Sequence, residues 1–234
     1  MNTISQDTTI AEIVTERPAT AALFERFGID FCCGGQRSLA SASEAKGIDP
    51  QTVLDALDEF AASRAADAGA HEVSALSVDQ LVDHIVKQHH DKLREQIPAI
   101  GELLERVVRV HGAGDATLAP LQEKFNELSS ELATHIELEE STVFPACRAA
   151  AAGGEDALDP ALLDQLTHEH EETGAGLVAL RELSGDYDQA KAHCNTHRFL
   201  LQSLADFERD LHLHVHEENN VLFPQARQAL AAAS

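Results

Sequence analysis

Basic residues are scarce in this sequence: 17 Lys and Arg stand against 40 Asp and Glu, a formal net charge of -23. Phosphate binding requires cations in excess, so nucleic acid is excluded as a partner. Long apolar runs are missing too, because charges break them well short of the roughly 20 residues that a membrane span needs. The opening MNTISQDTTIAEIV has neither a basic flank nor an apolar run, so no secretory signal is read there. The expectation is a cytoplasmic protein with no membrane partner. Four cysteines make no plausible secreted disulfide framework, since two are adjacent and Cys147 and Cys194 stand alone. No stretch shows sustained strand-type alternation, and Trp is absent.

What remains is a globular composition, 44% hydrophobic and 24% charged, over 234 residues. Ala, Leu and Glu dominate and lose little conformational freedom in helices, so the expected fold class is all-α. The acidity belongs mainly to solvated helix surfaces, although it also raises the local concentration of cations. Residues 1–60 read as a small helical domain, with Leu23, Phe24 and Phe27 on one helix face and Val53, Leu54, Leu57 and Phe60 on another. A small, polar stretch over 61–76 reads as a linker. Residues 77–234 then read as an up-and-down four-helix bundle, with helices at about 77–110, 117–150, 161–183 and 187–231.

An internal repeat carries the chemistry. Residues 135–148 read HIELEESTVFPACR and residues 214–227 read HVHEENNVLFPQAR. Both fit His-x3-Glu-x4-Phe-Pro-x2-Arg, and His135 to His214 is a step of 79 residues. An upstream histidine precedes each copy: His90 lies 45 residues before His135, and His170 lies 44 before His214. Spacing alone does not separate His90 from the adjacent His89. Residues i and i+4 share a helix face, so His135 with Glu139 and His214 with Glu218 can point inward at one level. The six groups are four imidazoles and two carboxylates. A carboxylate can give one oxygen to each of two metals, whereas an imidazole gives one nitrogen. Two ions bridged by Glu139 and Glu218, each with two terminal histidines, use the set fully. Structural zinc closes with four ligands and calcium and magnesium prefer oxygen, so two non-haem irons fit better, with manganese also allowed by ligand type.

Pro145 and Pro224 are expected to bend or end their helices, and Phe144 and Phe223 to fill core. His212 and His216 lie about 200° from a ligand face set by His214, at 100° per residue, and read as surface or supporting groups. The pairs His193 with His197 and His168 with Glu172 share faces but do not repeat, and His71, His84 and His111 read as ordinary.

Cys32 and Cys33 are the other chemical feature. Neighbouring Cα atoms are about 3.8 Å apart, short of the usual disulfide span of roughly 4.4–6.8 Å. The pair therefore suits reversible redox chemistry, soft-metal capture or iron transfer rather than stapling. Gly34 and Gly35 expose the backbone to an approaching partner.

On these motifs the sequence resembles the iron–sulfur cluster repair di-iron proteins, or Repair of Iron Centres family. The resemblance runs through DFCCGG at 30–35, HHDKLREQIP, His135-x3-Glu139, the Glu169-His170 pair and His214-x3-Glu218. It implies a haemerythrin-like bundle behind a vicinal-cysteine domain. It places the metal ligands on His90, His135, Glu139, His170, His214 and Glu218, choosing His90 over His89. The irons would carry an oxide or hydroxide bridge. Oxygen-carrying haemerythrins place a further histidine where this chain has Gly174, so one iron is expected to be less saturated, with space beside it. Glu169 is assigned an access or iron-relay role. The implied function is repair of clusters damaged by nitric oxide or oxidants, with damaged iron–sulfur proteins and a small gas, nitric oxide or oxygen, as partners. A homodimer follows only by family analogy. A sensor or store of oxygen, nitric oxide or iron, and a nitric oxide reductase, use the same ligands, so enzyme status stays open.

Overall fold

In a computed structural model of the chain, residues 4–63, 73–154 and 158–233 are described. Among them are helices, short turns and one isolated bridge between Thr9 and Ser38, so the fold is all-α. No helix among them is long and apolar enough to cross a membrane. The linker read over 61–76 lies mostly outside the described residues, and His71 wholly so.

Four short helices build the N-terminal part: α1 (Ile10–Glu16), α2 (Ala21–Phe27), α3 (Leu39–Ala45) and α4 (Pro50–Ser63). Thr9 starts α1 with a reciprocal cap, its hydroxyl accepting the Glu12 N–H while the Glu12 carboxylate accepts the Thr9 N–H. Gly28 ends α2 in the left-handed conformation at φ 65°, and Ser38 caps α3. Ile10, Val14, Phe24, Phe31, Leu39, Val53 and Leu57 form the core, and Val215 of the last long helix completes it.

The bundle has four long arms. The first is α5 (Val78–Ile85) and α6 (Asp91–His111), and the second is α7 (Leu118–Leu138) and α8 (Phe144–Ala151). The third is α9 (Pro160–Leu183), and the fourth is α10 (Asn195–Glu217) and α11 (Phe223–Ala233). The fourth begins at Asn195 rather than near 187. Gly185, Asp186 and Tyr187 all have positive φ, which helices of L-residues do not accommodate. Cys194 then starts α10 in an extended conformation, its sulfur accepting the His197 N–H at 3.5 Å.

Single wide π turns join the halves of three arms, at Val86–His90, Glu139–Val143 and Glu218–Leu222. The N–H groups of Asp91, Phe144 and Phe223 each reach back five residues, to Val86, Glu139 and Glu218. Pro145 and Pro224 follow two of these turns at once. They do not end their helices. Each lacks an N–H and crowds the carbonyl four residues back, so the helix widens and then resumes.

Two apolar clusters fill the bundle. One holds Leu81, Ile85, Val143, Phe144, Leu163, Leu166, Leu222 and Phe223. The other holds Leu93, Phe125, Leu132, Leu177, Leu204, Phe207 and Leu211. Along every arm the changeover spans one of the four histidines of the repeat: His90, His135, His170 or His214. A buried polar layer therefore crosses the bundle at one height.

Candidate metal centre

All six candidate ligands meet in that layer, and all are buried. His90 Nε2 and His214 Nε2 lie 3.0 Å apart, with Glu139 Oε2 3.4 Å from His90 and Glu218 Oε1 2.9 Å from His214. His135 Nε2 and His170 Nε2 lie 2.9 Å apart, with Glu139 Oε1 3.2 Å from His135 and Glu218 Oε2 3.2 Å from His170. Each carboxylate thus gives one oxygen to each histidine pair. The wide turns help, because Glu139 and Glu218 open theirs and His90 closes the third.

These separations suit ligands of a common ion. Atoms about 2.1 Å from an octahedral cation stand about 3 Å from one another. Neither oxygen of Glu139, nor Glu218 Oε2, has a partner in hydrogen-bond geometry, although histidine nitrogens are close. Buried carboxylate oxygens left that way are costly without a cation.

The far sides of the rings point to the same conclusion. His90 Nδ1–H donates to Glu140 at 2.7 Å, His135 Nδ1–H to Glu169 at 2.8 Å and His170 Nδ1–H to Asn219 at 2.9 Å. A neutral imidazole that donates from Nδ1 presents a lone pair at Nε2. Between His135 and His170 two such lone pairs would face each other, so a proton or a metal must sit between them. Burial opposes protonation of His90, His135 and His170, but Glu139 and Glu218 outweigh it and raise all three, His90 to about 10. Burial pushes both glutamates up, and Glu218 adds to this at Glu139, yet the surrounding histidines bring both below the usual carboxylate range. His214 is the exception, lowered mainly by burial.

Glu140 and Asn219 were not singled out by the sequence reading. A signal was available, since each directly follows a bridging-position glutamate in the repeat. Glu169 holds the His135 ring and is itself one-third exposed. His89, its counterpart beside the other upstream histidine, stacks flat on His214 with ring centroids 5.2 Å apart.

The cysteine loop packs on the opposite face of α10. Asn220 donates to the Cys32 carbonyl at 2.9 Å, and His216 Nδ1 lies 3.1 Å from the Phe31 carbonyl. His216 Nε2 meets Thr15 at 3.0 Å, and the Phe31 ring contacts both His212 and His216. His212 and His216 are thus docking groups rather than surface ones. Asp30 gathers the N–H groups of Cys32, Cys33 and Gly34 at 2.9–3.0 Å. The two sulfurs are 3.8 Å apart and both thiols are free. Cys33 as neighbour and burial, in that order, hold the Cys32 thiol well above its ordinary range. Gly35 has no room for a side chain: a Cβ would lie 2.6 Å from the Phe31 carbonyl oxygen and 3.0 Å from Asn220. That glycine serves close packing rather than exposure.

Gly174 does open space, and a Cβ there would meet nothing within 4 Å. It lines a cavity of about 600 Å³ with Asp30, Cys32, Cys33 and Arg181. None of the six centre residues lines it, so the space faces the cysteines. Elsewhere, His193 pairs with Asp115 and His111 lies 3.2 Å from Cys194 Sγ. His168 and Glu172 form an exposed pair.

The Hemerythrin HHE cation binding domain family matches residues 81–226, and the ScdA_N family, described as a Domain of Unknown function (DUF542), matches residues 6–61. The iron-sulfur cluster repair protein ScdA of Staphylococcus haemolyticus is 32% identical over 220 residues, spanning 94% of this chain and 98% of that one. The iron-sulfur cluster repair protein YtfE of Musicola paradisiaca is 30% identical over 221 residues, 94% and 96% of the two chains. That of Escherichia coli O1:K1 / APEC is 28% identical over 221 residues, 94% and 97%. With a cation-binding polar layer, a vicinal-cysteine loop and relatives aligned over nearly their full length, this chain belongs to the ScdA and YtfE family of iron–sulfur cluster repair proteins.

Proposed function

We propose that this protein restores damaged iron–sulfur clusters, with two non-haem iron ions held by His90, His135, Glu139, His170, His214 and Glu218. The observation that carries this reading is the split of each carboxylate between two histidine pairs, a geometry made for two ions rather than one. His90 and His214 would hold one ion, and His135 and His170 the other. Glu140, Glu169 and Asn219 keep the rings turned inward and fix the tautomer that presents Nε2. Iron bound there would supply ferrous ions for rebuilding a cluster and a place for nitric oxide or oxygen to bind.

The N-terminal domain would meet the damaged client in the cytoplasm. Supporting this role, Cys32 and Cys33 line a cavity open to solvent, and Asn220 ties their loop to the helix that carries Glu218. The test is reactivation of a nitric oxide-damaged aconitase-type enzyme by iron-loaded protein. Wild type should restore activity, and a Cys32→Ser, Cys33→Ser variant with full iron content should not. Equal reactivation by that variant removes the cysteines from the function.

A further inference from the structure

On the far side of His214 from its ligand partners, a second group of donors converges. His84 Nε2 and His89 Nε2 each lie 3.2 Å from the same oxygen, Glu217 Oε2. The three donor atoms are mutually close enough to share one ion. We propose that His84, His89 and Glu217 form an ancillary site for a divalent first-row cation, separate from the buried pair.

Local structure explains how these residues come together. His84 and His89 are five residues apart, which in a regular α-helix would separate their faces by about 140°. The wide turn Val86–His90 contains His89 and brings it back toward the side of His84. No proline accompanies this turn, unlike the two others. Glu217 is the last residue of α10, directly before the bridging-position Glu218.

The donor set suits a metal. Two imidazoles and one carboxylate with remaining positions open is an arrangement that iron and its neighbours accept. The two 3.2 Å separations from Glu217 Oε2 match the roughly 3 Å between ligands of one ion, and all three donor atoms lie within 4.8 Å of one another. His89 is almost fully buried, and its Nδ1 has no hydrogen-bond partner. The nearest carboxylate on that side is Asp210, at 4.0 Å. A cation on Nε2 would leave Nδ1–H facing Asp210, the order seen at His90 with Glu140 and His135 with Glu169. His84 is 23% exposed and opens the group to solvent, while the His89 ring stacks on His214. The site would therefore give an ion a foothold between solvent and the buried layer. That role, though not the site itself, rests on the buried layer holding metal.

Equilibrium dialysis of the full chain against Zn²⁺, followed by metal counting, tests the site. Wild type should hold one more ion than His84→Gln, whose remaining ions, at the buried layer and at the Cys32 and Cys33 thiols, also report that its fold is intact. A Glu139→Ala, Glu218→Ala variant should lose buried ions and keep one that His84→Gln removes. Equal counts for wild type and His84→Gln overturn the ancillary site, whereas undiminished binding by the double glutamate variant counts against the buried pair instead. Transfer of preloaded ferrous iron to excess chelator should slow several-fold in His84→Gln, and an unchanged rate overturns the role as a foothold.

Discussion

Asn220 joins the two parts of this protein at Cys32: its amide donates to the Cys32 carbonyl at 2.9 Å, two residues beyond Glu218. The same side chain accepts from Gln36 at 2.9 Å. One face of the fourth arm thus holds the cysteine loop while another faces the polar layer. Asn220→Ala removes both bonds and leaves a half-buried carbonyl unpaired, at a cost of about 1–3 kcal/mol. Thiol labelling of Cys32 and Cys33 should become faster while metal content stays unchanged. Unaltered labelling would show that the loop is held by other contacts.

Glu140 and Asn219 act through the rings they hold. Replacing Glu140 with Gln, or Asn219 with Ala, should weaken metal affinity by about 10–100-fold without removing a ligand. Chelator competition measures this directly. The effect should fall on the His90 ion for Glu140 and on the His170 ion for Asn219.

Protons stand in for metal when no ion is bound. The raised values of His90, His135 and His170 mean that their stabilisation of the metal-free fold is full below the ordinary histidine range. It is lost as pH rises through the raised values, for His90 about 10. The lowered values of Glu139 and Glu218 work in the other direction, giving stability above the ordinary carboxylate range that is lost as pH falls through them. Both contributions operate at neutral pH, so an incoming cation must expel protons from the histidines. Metal loading at about pH 7 should acidify a weakly buffered solution, and affinity should rise with pH over the following unit. Loading with no proton release would contradict this.

Gly174 offers a test of the open space. A methyl group there meets nothing, and alanine is better than glycine inside a helix by roughly 0.5–1 kcal/mol. Gly174→Ala should raise the melting temperature by about 2 °C, measured by calorimetry. A fall would mean that the cavity is closed in solution.

Much of this was legible in the sequence because side-chain spacing reports directly on helix faces. The matched His-x3-Glu segments set His135, Glu139, His214 and Glu218 at one level, and Phe144 and Phe223 fall in the core as expected. Periodicity could not show the wide turns, because they change backbone hydrogen bonding while apolar spacing stays nearly regular. The late start of α10 was hidden for a related reason: Tyr187 and the residues after it carry no strong breaker, and positive φ at Asp186 and Tyr187 is set by the tertiary fold. His212 and His216 read only as surface or supporting groups because their partner, Phe31, is some 180 residues away in sequence. Glu140 was readable only by comparing it with Asn219 in the second copy of the repeat.

Anaerobic reconstitution with ferrous iron, followed by iron counting, tests the metal centre most directly. Two irons per chain are expected in the buried layer of wild type and of His193→Ala, which alters the separate group of His193 with Asp115, His111 and His197. Glu139→Ala and Glu218→Ala should each lose occupancy, because each removes a bridge. Substantially fewer than two irons in the wild-type protein, or full occupancy in both glutamate variants, would contradict the paired site.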